Sequence, residues 1–200
     1  LTGMGGAHSH SHDHGHGHGH GHGHHHGPVD HGRAFAIGIV LNTAEVYDPA
    51  TNAWTETAGP MSVARRSHTA TLLPGGKVLI AGGGSGVATA SSQPIQSAEL
   101  FDPATGLFTL IGNMVERRSA HSAILLDDGT VLISAGSNGA GTLYPTNTAE
   151  IFNPANNSFT AVGPMNYPHL AQLPGKLRDG RVVQGSSYYN VTNTSAGGRI

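Results

Sequence analysis

Cysteine is absent from the 200 residues, which excludes disulfide staples, thiolate metal sites and cysteine nucleophiles while leaving the compartment open. Charge is scarce too. Only 11% of residues are Asp, Glu, Lys or Arg and the formal net charge is −2 with His neutral, so nothing steers the chain toward nucleic acid or anionic membranes. Long apolar runs are also lacking. Ala34 to Leu41 is eight residues, against about 20 needed to cross a bilayer, and Glu45, Asp48 and Pro49 follow closely. The chain is therefore not expected to span a membrane as given, and no signal peptide is read ahead of the histidines. Glycine, by contrast, occurs 30 times, which suits a turn-rich β protein better than a helical one.

Histidine is concentrated in one place. The stretch "HSHSHDHGHGHGHGHGHHHGPVDH" holds twelve of the fifteen: His8, His10, His12, His14, His16, His18, His20, His22, His24, His25, His26 and His31. Neutral imidazole ligates zinc, nickel, cobalt and copper, and His at alternate positions offers many exchangeable ligand pairs. Interleaved glycines let the backbone wrap an ion at a high entropic cost, so several sites of modest affinity are expected, zinc first, with Asp13 and Asp30 as occasional oxygen ligands. The plainer reading is an expression tag or a solvated low-complexity tail. Residues 1–32 are expected to be a disordered metal-binding arm, and 33–43 a short apolar junction.

From Ala44 the chain repeats itself. "AEVYDPATNAWT", "AELFDPATGLFT" and "AEIFNPANNSFT" are three copies of one segment, with Glu45, Glu99 and Glu150 spaced 54 and 51 residues apart. Between them lie "GPMSVARRSHTATLLPGGKVLIAGG", "GNMVERRSAHSAILLDDGTVLISAG" and a weaker "GPMNYPHLAQLPGKLRDGRVVQGSS". Each unit reads as four short strands. Ser67 to Leu73 forms the first, turned by Pro74-Gly75-Gly76 into Val78 to Ile80, which runs into Gly82-Gly83-Gly84. Ala98 to Phe101 forms the third, turned by "DPATG" into Leu107 to Leu110. Asp48 or Asp102 caps that turn through its side chain, and the proline after it presets the backbone.

This turn chemistry, the double glycine and aromatics such as Tyr47 and Trp54 resemble the kelch blades of galactose-oxidase-like β-propellers, over residues 44 to about 186. The resemblance implies an all-β fold of four-stranded blades packed radially, here about three in number and so an incomplete ring, with 187–200 a tail or a truncated next blade. It further implies protein or glycan binding through the loops, self-association as one way to complete the ring, and a secreted or cell-envelope setting. A galactose-oxidase copper-radical site would need a cysteine crosslinked to tyrosine. With no cysteine, that cofactor cannot form, and the chain is read as non-enzymatic. A second resemblance sits upstream. "DHGRAFAIGIVLN" with the histidines before it looks like the cytoplasmic N-terminus of cation diffusion facilitator transporters, which implies ion capture for efflux and makes "LNTA" look like a join. The alternatives are accordingly a truncated or misjoined piece of an exporter, or a fragment of an oxidase-type enzyme.

Candidate site residues divide into scaffold and surface. His68 and His121 recur seven residues after Met61 and Met114, and recurrence points to a structural hydrogen bond to a neighbouring strand rather than to catalysis. The basic pairs Arg65-Arg66 and Arg117-Arg118 either lock the blades by pairing with Glu45, Glu99 or Glu150, or contact an acidic partner. The connections 85–97 and 137–148 are polar and variable, with Tyr144 and Pro145 as contact residues. Asn156, Asn190 and Asn193 fit the glycosylation pattern.

Overall fold

The computed structural model describes residues 39–86, 93–139, 144–170 and 173–185. All of them fall in the second of two units, Ala36–Ile200; the first, Leu1–Phe35, contains the whole histidine-rich arm. The metal-ligand expectation for that arm, and the expectation for the 187–200 tail, therefore lie outside the described residues.

Every regular element among the described residues is a β-strand, as expected. A hairpin comes first, β1 (Glu45–Asp48) with β2 (Ala53–Glu56). A four-stranded antiparallel sheet follows: β3 (Thr69–Leu72), β4 (Val78–Ala81), β7 (Ser97–Asp102) and β8 (Leu107–Asn113). Between β4 and β7 the chain makes a small ribbon of β5 (Gly84–Ser85) and β6 (Gln93–Pro94), where the sequence suggested only a loop. The second sheet repeats the first, with β9 (Ser122–Leu125), β10 (Val131–Ser134), β11 (Ala149–Asn153) and β12 (Ser158–Val162). A last hairpin joins β13 (Gly175–Lys176) to β14 (Val182–Val183). The four-stranded blade is thus realised twice, with half of one on either side.

The turns explain the boundaries. Asp48, Asp102 and Asn153 each accept a hydrogen bond through Oδ1 from the backbone N–H two residues on, at 2.8, 3.0 and 2.9 Å. Each turn then closes through a residue in the left-handed region: Asn52 (φ 54°), Gly106 (φ 69°) or Asn157 (φ 54°). The tighter turn before β4 closes with Gly76 N–H donating to Leu73 O at 2.9 Å. β3 begins at Thr69 rather than Ser67 because Ser67 itself has φ 53°, outside any strand conformation. β8 extends to Asn113, past Leu110, absorbing a register shift between Ala98 and Glu99.

The core lies between the two complete sheets. Leu79, Ala81 and Ala98 from the first meet Val131, Ile133 and Phe152 from the second, with Leu73 and Met114 closing the layer. Strand alternation supplies these contacts, and the aromatics that face each other across β7–β8 and β11–β12 pack on the same plan. Phe101–Phe108 and Phe152–Phe159 both have ring centroids 4.9 Å apart. Tyr47–Trp54 is the same pair in the first hairpin, at 5.2 Å, but it stands in solvent.

Candidate interaction surface

Each strand pair has two ends. β4 starts at the tight turn and ends at Ala81, just before Gly82, so the long connections and the links between sheets gather at the Gly82 end. Two arginines sit there. Arg65 donates from Nη1 to Gly82 O at 2.8 Å and Ser97 O at 2.9 Å, and from Nη2 to Glu99 Oε1 at 2.7 Å. The other oxygen of Glu99 accepts the Ser62 N–H at 2.8 Å. Arg118 repeats this in the second sheet. Its Nη1 donates to Ala135 O at 2.9 Å, its Nη2 to Glu150 Oε1 at 2.8 Å, and Glu150 Oε2 accepts the Val115 N–H at 2.6 Å.

Each arginine–glutamate pair therefore fastens the incoming link onto the sheet that follows it. Desolvating two charges is costly, and here the surrounding carbonyls and amides satisfy them. Glu99 and Glu150 are fully buried. The possibility that Arg65 and Arg118 contact a partner is corrected accordingly: with 3% and 1% exposure, neither reaches the surface. The pairing alternative holds for Glu99 and Glu150, within a sheet rather than between blades. It does not extend to Glu45, which is exposed.

Contacts between successive sheets use other groups. Asn42, Gln96 and Asn147, just before β1, β7 and β11, donate from their side-chain amides to Met61 O, Val115 O and Met165 O at 3.0–3.1 Å. Gly83 N–H donates to Arg118 O, and Gly136 N–H to His169 O, both at 2.9 Å. A side chain at Gly83 would place its Cβ 2.7 Å from Arg66 O, so the double glycine is a point of backbone contact, as its composition implied.

His121 bridges the sheets. Its Nε2 shares a hydrogen bond of 2.9 Å with Thr69 Oγ1 of β3, a side-chain partner rather than the backbone. Burial, reinforced by the charge of Arg118 and by His68, pushes its pKa down to about 3, so it is neutral. His68 is lowered for the same first reason, with Arg65 as the adjacent charge.

What remains at the surface of this end is a shorter set. Arg117 is exposed, Arg66 is half-buried, and Tyr144 is 57% exposed with its ring against Gly139. Pro145 takes part in a bridge with Ser137. Tyr167, on the link after β12, is 73% exposed and was not anticipated; its signal was an aromatic two residues after Met165, where Val63 and Glu116 follow Met61 and Met114. At the opposite end, Leu73, Pro74, Leu100, Pro154 and Asp128 line a groove of about 460 Å³ between the turns of the two sheets. Asn156, in one of those turns, accepts from Ser158 N–H and Oγ–H, while Asn190 and Asn193 lie outside the described residues.

Among the described residues no three His, Asp or Glu side chains converge in a way that could hold a metal ion, and no helix is long and apolar enough to cross a membrane. A search of curated proteins returns no match. Comparison with protein families matches residues 65–115 to the Kelch motif, a span that covers the first complete sheet, from the Arg65 clamp to Met114.

Proposed function

We propose that the chain is a non-enzymatic interaction module that binds a protein partner at the Gly82 end of its sheets, while its histidine-rich arm captures divalent metal, zinc first. One observation carries the reading. The groups best equipped for chemistry, Arg65, Glu99, Arg118, Glu150 and His121, are buried in scaffold bonds, whereas Arg117, Tyr144 and Tyr167 stand exposed on the connections those bonds hold. Kelch motifs typically mediate protein interactions, which agrees with this division. Exposed aromatic and arginine side chains on a rigid frame are the residue types that dominate protein contacts.

The test compares the full chain with its Arg117→Ala/Tyr144→Ala variant in affinity capture from source cells, with melting recorded for both. Loss of a defined partner set at unchanged melting temperature supports the reading. Full retention of that set, or its loss when glycans are stripped from the lysate, overturns it.

A further inference from the structure

Repetition separates the residues that hold the sheets from those that do not. Arg65 and Arg118, Glu99 and Glu150, and Gly83 and Gly136 recur at matching places and make matching bonds. Other positions at the Gly82 end break the pattern. Arg66 exchanges backbone hydrogen bonds with Gly84 at 2.8 and 3.0 Å, and Ser119 takes that place beside Ser137 in the second sheet. Arg118 N–H donates to Ile95 O as His169 N–H donates to Thr146 O, so Arg117 corresponds to Pro168. The β5–β6 ribbon is therefore flanked by an arginine on the link before it and another on the link after it, where its counterpart has serine and proline. Gly84 pairs with Pro94 as Ser137 does with Pro145, which sets Tyr144 where the first ribbon has Gln93.

The two flanking arginines belong to one junction. Ala120 N–H donates to Ser67 O and Gly83 N–H to Arg118 O, both at 2.9 Å, so the chain just after Arg66 is bonded to the chain just after Arg117. Arg117 is exposed and Arg66 half-buried. Basic groups exceed acidic ones here. Arg65 and Arg118 are matched by Glu99 and Glu150. The links 59–68, 112–121 and 163–170 carry one acidic residue, Glu116, which is half-buried and accepts the Thr148 hydroxyl at 2.8 Å. The connections 85–97 and 137–148 contain no Asp, Glu, Lys or Arg at all.

Building on the reading of the chain as an interaction module, we propose that its partner presents an extended segment rich in Asp and Glu. Arg66 and Arg117 take carboxylates on either side of the β5–β6 ribbon, and Tyr144 on the next ribbon packs against the segment's apolar atoms. Guanidinium groups bind carboxylates through paired N–H donors, and sets of them on separate links suit single charges spaced along a chain. A phosphoryl group concentrates its charge and calls for donors that converge on one point. Residues serving the scaffold recur; these do not, and a contact with one particular partner requires them only once.

Fluorescence anisotropy of the full chain, with chelator present to keep metal off the arm, measures this against a fluorescein-labelled tetraglutamate peptide. The peptide is expected to bind about tenfold more tightly than its glutamine counterpart, with the difference shrinking as salt rises. Arg117→Glu is expected to weaken binding by about tenfold, and Arg66→Gln by a similar factor, at unchanged melting temperature. Arg178→Glu makes the same charge change on an exposed side chain in the β13–β14 turn and should leave binding as it was. Equal binding of the glutamine peptide, no binding of the glutamate peptide, binding confined to a phosphoserine counterpart, or equal loss in Arg178→Glu overturns the inference. If the peptide fails while the Arg117→Ala/Tyr144→Ala variant still loses a defined partner set, the interaction module stands and its acidic ligand falls.

Discussion

Arg118 Nη2 lies 2.8 Å from Glu150 Oε1, its Nε reaches the same oxygen at 3.1 Å, and both side chains are out of solvent. One carboxylate oxygen thus takes two N–H bonds from one guanidinium, while the other takes the backbone of the link. Removing either partner leaves a buried charge with nothing to neutralise it. Arg118→Ala is expected to lower stability by about 3–5 kcal/mol, measured by urea unfolding followed by far-ultraviolet circular dichroism. Replacing both partners, Arg118→Met with Glu150→Leu, recovers most of that loss. A single-variant cost under about 1 kcal/mol would show the pair to be incidental.

His121 makes stability depend on pH in one direction. Its folded pKa, about 3, lies below its ordinary value of 6.5, so the unfolded chain binds the extra proton between those limits. The contribution is complete above pH 6.5 and is lost as pH falls toward 3, at a slope approaching about 1.4 kcal/mol per pH unit. His121→Gln keeps a side chain able to bond Thr69 but cannot titrate. Urea midpoints at pH 7 and pH 5 should fall closer together in that variant than in the native chain; equal spacing would remove His121 as the cause.

Gly136 accepts no side chain. Its φ is 91°, and an added Cβ would lie 2.7 Å from both Ser119 O and His121 Cβ. Gly136→Ala is expected to cost about 3 kcal/mol, seen as a lower melting temperature. Gly75→Ala, where nothing lies within 4 Å of the added atom, serves as the comparison and should change little.

Zinc binding should separate from the sheets at a defined place. A chain shortened to begin at Ile39 loses all twelve arm histidines but keeps Leu41 O and Asn42, which hold Arg65 N–H and Met61 O. Calorimetric titration with zinc is expected to show binding in the full chain and none in the shortened one, with equal melting temperatures. Undiminished binding after the cut would move the ligands off the arm.

What the sequence revealed was local. The Asx turns at Asp48, Asp102 and Asn153 depend on side chains bonding two residues along, so "DPATN" and its copies name both the turn and the strands it joins. The arginines were harder to place. Arg65-Arg66 and Arg117-Arg118 look like equivalent pairs, yet Arg65 matches Arg118, and Arg66 matches Ser119. Two adjacent arginines conceal a shift of one residue that counting four from the preceding methionine exposes. The same count finds His169. The amide contacts of Asn42, Gln96 and Asn147 left no such trace, because their partners are backbone carbonyls of the following link, which any residue supplies.

Trp54 is the only tryptophan, and at 65% exposure on the β1–β2 hairpin it stands outside the packed layer formed by Leu79, Ile133 and Phe152. Intrinsic fluorescence of this chain is consequently a gauge of one peripheral hairpin. Melting curves recorded by tryptophan emission will report its fraying, and they will part from dichroism curves even where the two central sheets unfold as a single cooperative unit.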